Sequence, residues 1–195
     1  MPSVPVPALV LASASPRRRD LLARIGVTPA RIVAPDIDET PLRVERPRDY
    51  VRRVAAAKAA AVERAPGEVI LSADTTIALG RRILGKPGDE AELRVMLGQL
   101  SGRRHHCFSA VAVIGADGRL RERLSDTILV FKPLSPAEID AYVATGEGMG
   151  KAGGYAIQGH AESWVRRLDG SHSGVVGLPL YETAALLRAV GIAVG

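Results

Sequence analysis

The amino-acid sequence predicts an α/β protein built on a mixed β-sheet. Short apolar runs alternate with segments of helical periodicity, in the order β-α-β-α-β-α-β-β-α-β-α. Two longer apolar runs, over 105–114 and 120–131, flank a Gly-Ala-Asp-Gly turn and predict a β-hairpin. The 195 residues, 47% of them hydrophobic, are enough for one sizeable core or for two lobes that share a cleft.

The first predicted unit is a strand over 9–12 followed by a helix. Ser15 suits the N-cap of this helix, and Pro16 suits its first position. The helix then begins with free N–H groups beside the Ser13 hydroxyl and the run Arg17-Arg18-Arg19. Such a combination attracts phosphate, although a capped surface helix with solvated arginines would have the same sequence.

An acidic turn over 35–41 follows a short predicted strand over 30–34. Its acids Asp36, Asp38 and Glu39 repel one another unless a positive group lies among them. The turn is therefore either a site for a divalent metal or for basic groups, or a solvated acidic loop.

The alanine-rich segment 47–63 predicts a helix. Lys58 falls toward the buried side of this helix at helical spacing. A buried ammonium group needs a partner, so Lys58 either extends its head to solvent or faces an anion.

The apolar run 68–73 predicts a buried strand that ends at Asp74-Thr75. An acid at the carboxyl end of a buried strand points into the crevice where open α/β sheets bind ligands. A turn over 80–82 then leads to Gly85-Lys86-Pro87, where glycine allows close backbone approach and lysine supplies positive charge. Many surface turns share this last pattern, so it is weak by itself.

A helix is predicted over 89–100, before the hairpin. After the hairpin the sequence predicts a helix, a glycine-rich loop, a strand and a last helix. The Ser-Pro-Ala-Glu spacing at 135–138 predicts a capping box and a helix that ends at Gly146. The glycine-rich segment 148–159 also contains Lys151 and Gln158, which favours a loop shaped around a ligand over a linker. A strand over 163–168 and a helix over 178–190 follow.

Composition limits the class of partner. The net charge of +5 and the pI near 9.8 favour an anionic partner, and the charge is spread along the chain, so a small polyanion is as plausible as nucleic acid. Aromatic residues at 4% argue against base-stacking platforms. The single cysteine, Cys107, excludes an intramolecular disulfide and fits a reducing compartment. No apolar run reaches transmembrane length, and residues 1–7 form a loose leader without a signal-peptide pattern, so a cytoplasmic protein is expected.

Several catalytic motifs are absent from the sequence. It contains no P-loop, no dinucleotide-binding glycine motif, no histidine spacing typical of zinc and no nucleophile elbow. Basic residues and carboxylates instead recur at element ends. Phosphoryl chemistry on a triphosphate needs both, because cations bind phosphate oxygens while carboxylates hold a metal or orient water.

Eight segments, in the same order along the chain, resemble the Maf family of nucleoside triphosphate pyrophosphatases. They are Leu9-Val10-Leu11-Ala12-Ser13-Ala14-Ser15-Pro16-Arg17-Arg18, Asp36-Ile37-Asp38-Glu39, Ala57-Lys58-Ala59, Ala73-Asp74-Thr75, Gly85-Lys86-Pro87, Leu100-Ser101-Gly102-Arg103, Lys151-Ala152-Gly153-Gly154-Tyr155 and Val176-Gly177-Leu178-Pro179. The resemblance implies one Maf-like domain over 1–195, with a two-lobed mixed-sheet fold and a central cleft, similar to the inosine triphosphatase-like enzymes. It also implies a homodimer that hydrolyses a nucleoside triphosphate to the monophosphate and pyrophosphate with a divalent metal, Mg²⁺ or Mn²⁺.

Two of these segments resemble the branch of the family that acts on dTTP and UTP. They are Asp74-Thr75 and Lys151-Ala152-Gly153-Gly154-Tyr155-Ala156-Ile157-Gln158-Gly159. By this resemblance Asp74 accepts the proton from water, and Arg17, Thr75 and Gln158 select the nucleotide. Glu39 and Asp74 would hold the metal, and the remaining substrate-binding residues would be Ser13, Ser15, Arg18, Lys58, Lys86 and Lys151.

The sequence departs from the family pattern at three places. Gly150 replaces an acid, Gly174 replaces an asparagine, and Ser109-Ala110 replaces a frequent Thr-Gly. None removes a residue with an assigned role. Two alternatives stay open: a Maf-type enzyme for 7-methyl-GTP or modified nucleotides, and a non-catalytic protein that binds nucleic acid or a division-control partner. Carboxylates at Asp38, Glu39 and Asp74 argue against pure polyanion binding, because they repel phosphate without a metal.

Overall fold

The sheet of this chain is mixed, as the sequence predicts, with strand order β2-β1-β3-β5-β6-β7 and β4 beside β3. The computed structural model describes residues 7–195, so the predicted leader lies almost entirely outside the described residues. Within that range the strands are β1 (Ala8–Ala12), β2 (Arg31–Val33), β3 (Glu68–Leu79), β4 (Arg82–Leu84), β5 (Arg104–Ile114), β6 (Leu120–Phe131) and β7 (Val165–Asp169). The helices are α1 (Pro16–Ala23), α2 (Pro47–Ala60), α3 (Glu90–Leu100), α4 (Pro136–Thr145), α5 (His172–Val176) and α6 (Leu180–Ala189), with short 3₁₀ helices at Ala152–Gly154 and His160–Trp164.

Strand directions follow from the connections. The chain passes through α1 between β1 and β2 and through α2 between β2 and β3, and β1 pairs in parallel with both of these strands. Tight turns join β3 to β4 and β5 to β6, and these pairs are antiparallel, as are β3–β5 and β6–β7. The predicted hairpin forms at Gly118, whose φ of 74° suits a tight turn.

The sheet is covered on both faces, because alternate residues of the central strands are buried on opposite sides. On one face, Val10 and Ile70 pack in a cluster with Val51 and Ala55 of α2. On the other face, apolar residues of β1 and β3 share a larger core with side chains from α1, α3, α4 and α6. The small side chains of α2 allow this helix to approach the sheet closely. No helix within residues 7–195 has the length and apolar character needed to cross a bilayer.

The structure corrects the predicted position of Asp74. The strand does not end there, because β3 continues to Leu79. β1 pairs with β3 only as far as Ser72, and beyond that point β3 pairs with β5 and β4. Asp74 therefore lies just past the end of β1 but inside a strand that is still hydrogen-bonded on its other edge. β4 and α5 were also not predicted, since each is only three to five residues long.

Candidate active site

A cleft of about 250 Å³ opens where β1 ends, between the N-terminus of α1, the middle of β3, the 148–159 loop and the end of α5. All eleven residues predicted for the site line this cleft. They are Ser13, Ser15, Arg17, Arg18, Glu39, Lys58, Asp74, Thr75, Lys86, Lys151 and Gln158. The fold therefore brings together segments that are more than a hundred residues apart in sequence, while the chemical roles of these residues remain predictions.

Lys58 lies between two carboxylates at the floor of the cleft. Its Nζ is 2.8 Å from Asp74 Oδ1 and 3.0 Å from Glu39 Oε2. Lys58 and Asp74 are 8% and 6% exposed, so the predicted partner of a buried ammonium group is present. The Ser72 hydroxyl donates to the Ala55 carbonyl at 2.6 Å, which attaches α2 to β3 one turn before Lys58.

The same two carboxylates fit a divalent cation. Mg²⁺ is usually held by one or two carboxylates, with water and substrate phosphates completing its shell. Glu39 and Asp74 already converge on one positive group, which is the donor set that such a cation needs. Within residues 7–195 no cluster of three or more His, Cys, Asp or Glu side chains has metal-binding geometry, so further ligands would be water and phosphate.

Helix α1 presents two arginines to the cleft. Arg17 Nε donates to the Val176 carbonyl at 3.3 Å, and Arg18 Nε donates to the Gly177 carbonyl at 2.9 Å. Arg18 also donates to Ser13 Oγ at 2.9 Å. These contacts direct the guanidinium groups along the wall of the cleft, where their remaining N–H groups can meet phosphate oxygens.

Ser15 occupies the N-cap position of α1 as predicted, but its side chain makes no capping hydrogen bond. The backbone N–H of Ser15 instead donates to Ser13 Oγ at 3.2 Å. The Ser13 hydroxyl thus orders the turn before the helix, and the Ser15 hydroxyl lines the cleft.

Positive charge is concentrated on the side of the cleft where Arg17 and Lys151 lie. Burial lowers the pKa of Arg17, and burial followed by the charge of Arg17 lowers the pKa of Lys151. An anion between these groups would relieve the repulsion. On the other side, burial first and then the charges of Asp74 and Glu39 raise the pKa of Tyr50 to about 12.

The glycine-rich loop forms the opposite wall. Gly153 has φ of 70°, and a Cβ there would lie 2.8 Å from the Ile77 side chain, so only glycine fits. Its N–H donates to the Gly85 carbonyl at 2.9 Å, which joins this loop to the turn that carries Lys86. The glycines thus shape a loop that lines the cleft, and the binding of a ligand by this loop stays a prediction.

Tyr155 anchors the same loop to the core. Its hydroxyl is 3.0 Å from His105 Nε2, and its ring packs edge-on against Phe131. The Ala156 N–H donates to the Tyr142 hydroxyl at 3.1 Å. Gln158, two residues further on, is exposed at the rim of the cleft.

Two of the acids in the predicted acidic turn lie outside the cleft lining. Asp38 accepts the Thr40 N–H at 2.8 Å and serves the turn itself, and Asp36 is exposed. Of the three acids, Glu39 alone lines the cleft.

Sequence reasoning also missed contacts that hold the site together. The carbonyls of Val176 and Gly177 bind the two arginines, and Ser109 contacts Thr75. The Val-Gly-Leu-Pro segment was visible as a motif, but nothing in it indicated a role for its backbone.

The chain is thus an α/β protein whose cleft is lined by arginine and lysine side chains and by a carboxylate pair suited to a cation. Residues 8–190 match the family model described as Maf-like protein, and the chain belongs to this family.

Curated relatives cover nearly the full chain. A dTTP/UTP pyrophosphatase of Sphingopyxis alaskensis is 70% identical over 190 residues, covering 97% of this chain and 100% of that protein. Proteins with the same name from Novosphingobium aromaticivorans and Zymomonas mobilis are 64% and 55% identical, covering 95% and 94% of this chain and 93% and 92% of their own lengths. Among solved structures, a nucleoside-triphosphatase / dITP/XTP pyrophosphatase from Mycobacterium abscessus aligns with a TM-score of 0.40 at 19% identity, over 71% of this chain and 94% of that chain.

Proposed function

We propose that this chain is a nucleoside triphosphate pyrophosphatase that hydrolyses dTTP and UTP to the monophosphate and pyrophosphate. The observation that carries the proposal is the placement, in one cleft, of arginine and lysine side chains beside the Glu39–Lys58–Asp74 group. Relatives that are 55–70% identical and bear the name dTTP/UTP pyrophosphatase support the choice of nucleotide.

The triphosphate binds along the cationic side of the cleft in this proposal. Arg17 and Arg18, at the start of α1, bind phosphate oxygens together with the first-turn N–H groups of the helix. Lys86 and Lys151 approach from the opposite wall as flexible point charges. Charge that develops on the phosphates during reaction is stabilised by the same groups.

Asp74 acts as the proton acceptor for the attacking water. Asp74 is held in place by Lys58 and by the Thr76 hydroxyl at 3.4 Å, as a positioned general base requires. Water adds to the α-phosphorus, its proton passes to Asp74, and the bond from the α-phosphorus to the bridging oxygen breaks to release pyrophosphate. Glu39 and Asp74 would hold Mg²⁺ or Mn²⁺, which supplies positive charge to the phosphate oxygens.

Gln158 and Thr75 select the base. The Gln158 amide both donates and accepts, so it can pair with a pyrimidine edge that presents a carbonyl beside an N–H. Thymine and uracil have this edge, whereas cytosine has an amino group beside a bare nitrogen. A site built around such a pair rejects analogues that leave its amide unpaired.

We also propose, from the family resemblance, that the protein is a homodimer of the cytoplasm. Cys107 supports this location, because it is a free thiol buried as a small core residue and free thiols are typical of reducing compartments. Analytical ultracentrifugation of the purified chain tests the oligomeric state.

Pyrophosphate release from a nucleotide panel tests the proposed function. Purified protein is incubated with dTTP, UTP, CTP, dATP and 7-methyl-GTP, with Mg²⁺ and separately with a chelator. The proposal expects dTTP and UTP to be the best substrates, monophosphate and pyrophosphate to form in equal amounts, and the chelator to stop the reaction. Absence of turnover on every nucleotide, or a clear preference for 7-methyl-GTP, would contradict it.

A further inference from the structure

Ser109 is a buried residue next to the cleft that has no assigned function. It lies on β5 directly opposite Thr75 of β3 and is 1% exposed. Its Oγ is 2.6 Å from the Gly174 carbonyl oxygen and 3.1 Å from Thr75 Oγ1. The buried hydroxyl therefore contacts a cleft residue on one side and the backbone of α5 on the other.

The Ser109 hydroxyl has one proton, and this sets the donor in both of its hydrogen bonds, to Gly174 and to Thr75. A carbonyl oxygen can only accept, so Ser109 must use its single proton on Gly174. The Thr75 hydroxyl must then donate its own proton to Ser109. With that proton engaged, Thr75 Oγ1 presents only lone pairs to the cleft, which it lines.

We propose that Ser109 is a positioning residue that holds the Thr75 hydroxyl as a hydrogen-bond acceptor, so that the substrate group contacting Thr75 is a donor. This inference rests on the proposed function. The chemical groups that qualify are the ring N–H of thymine or uracil and a hydroxyl of the sugar. A phosphate oxygen and the bare ring nitrogen of cytosine do not qualify, because both can only accept.

The test compares substrate ratios in variants of Ser109. Ser109→Ala removes the acceptor of the Thr75 proton, so Thr75 becomes free to donate as well as accept. Ser109→Thr keeps the hydroxyl. Ser109→Cys is close in size and only a weak hydrogen-bonding group, and it decides the question if the alanine variant does not fold. Ser125→Ala is the matched control, because Ser125 is the buried cross-strand neighbour of Ser109 on β6.

Two ratios of kcat/KM separate the candidate donors: UTP over CTP for the base, and, for the sugar, dTTP over its 3′-O-methyl analogue, whose oxygen can accept a hydrogen bond but has no proton to donate. In Ser109→Ala and Ser109→Cys, Thr75 can donate to a substrate group that only accepts, so the disfavoured substrate binds better. We therefore expect one of these ratios to fall by about 5- to 10-fold, the effect of one hydrogen bond. Ser109→Thr and Ser125→Ala keep both ratios within twofold of wild type. A purely structural role would lower activity on all substrates alike and leave the ratios unchanged.

Both ratios unchanged in a folded Ser109→Ala or Ser109→Cys variant would overturn the inference, as would an equal change in Ser125→Ala. Calorimetric binding of UMP, CMP, dTMP and 3′-O-methyl-dTMP gives the same comparisons without turnover. If the wild-type chain binds nucleotides but hydrolyses none, the proposed function fails while the role of Ser109 is still decided by the binding ratios.

Discussion

At the scale of single residues, the ammonium group of Lys58 lies between two carboxylates that face the cleft. The contacts of 2.8 and 3.0 Å place one positive charge between Asp74 and Glu39, and the Asp74 side chain is only 9% exposed. Removing one partner from a buried ion pair is costly because the remaining charge loses its compensation. Lys58 and a divalent cation therefore compete for the same negative field.

Replacing Lys58 with methionine tests this competition through stability. We expect Lys58→Met to lower the free energy of unfolding by about 3 kcal/mol in the absence of metal. Added Mg²⁺ should then raise the melting temperature of the variant more than that of wild type, since the cation restores the missing charge. Lys132→Met is the control, because the Lys132–Glu138 pair is one-third exposed and surface pairs contribute little. Identical Mg²⁺ responses in Lys58→Met and wild type would contradict this account.

At the scale of elements, short sequence motifs correctly predicted those features of helices and turns that depend on contacts between residues close in sequence. The capping box of α4 is present, with Ser135 accepting from the Glu138 N–H, and the helix ends at Gly146 with φ of 70°. The extension of β3 past Asp74 was not predictable, because it depends on pairing with β5, which begins about thirty residues later. The helix α5 is a five-residue turn whose Ser171 cap resembles many loops.

For the candidate site, the identity of the residues could be predicted from the sequence. Its residues lie at element ends or in motifs, so sequence reasoning and family resemblance could find them. Their mutual contacts could not be found in this way. That the Val176 carbonyl binds Arg17 depends on a packing contact across 159 residues, and any residue type offers a carbonyl.

One side chain, that of Glu147, joins the two ends of the loop that carries Lys151 and Gln158. Glu147 accepts the His160 N–H at 3.0 Å and also pairs with the His160 ring, across thirteen residues. The His160 contact is the largest cause that lowers the pKa of Glu147. A Cβ at Gly159 would lie 2.2 Å from Glu147 Oε2, which shows how closely the carboxylate approaches the loop backbone.

We expect Glu147→Ala to raise KM for dTTP by about 10-fold while kcat changes less, because Lys151 and Gln158 lose their fixed positions for binding. Steady-state kinetics on dTTP measures this split. Glu162→Ala, an exposed acid on the neighbouring 3₁₀ helix, is the matched control. A KM for Glu147→Ala within twofold of the control would show that the loop does not need this carboxylate.

At the scale of the whole molecule, the cleft wall and the core are continuous through His105. This side chain is fully buried between Tyr155, which lines the cleft, and Phe131. Burial lowers the pKa of His105 from 6.5 to about 4. The folded protein therefore keeps His105 neutral at pH values where the unfolded chain binds a proton.

That difference makes global stability depend on pH. Between pH 6.5 and 4 the unfolded state binds more protons at this position, so stability falls as the pH falls. From pH 7.5 to pH 5 the free energy of unfolding of wild type should drop by about 2 kcal/mol more than that of His105→Gln. Urea denaturation of both proteins at the two pH values measures the difference. Equal drops would mean that His105 does not carry this dependence.

In the proposed function, one cleft that is organised around Asp74 cleaves the bond between the α- and β-phosphates of dTTP. Pyrophosphate release by wild type, Asp74→Asn and Asp126→Asn tests it most directly, with folding checked by circular dichroism. Asp126 is a suitable control because it pairs with His106 and Arg48 and does not line the cleft. We predict that Asp74→Asn loses about 10²–10⁴-fold in kcat while Asp126→Asn stays within a few fold of wild type. A folded Asp74→Asn variant with wild-type turnover would contradict the account.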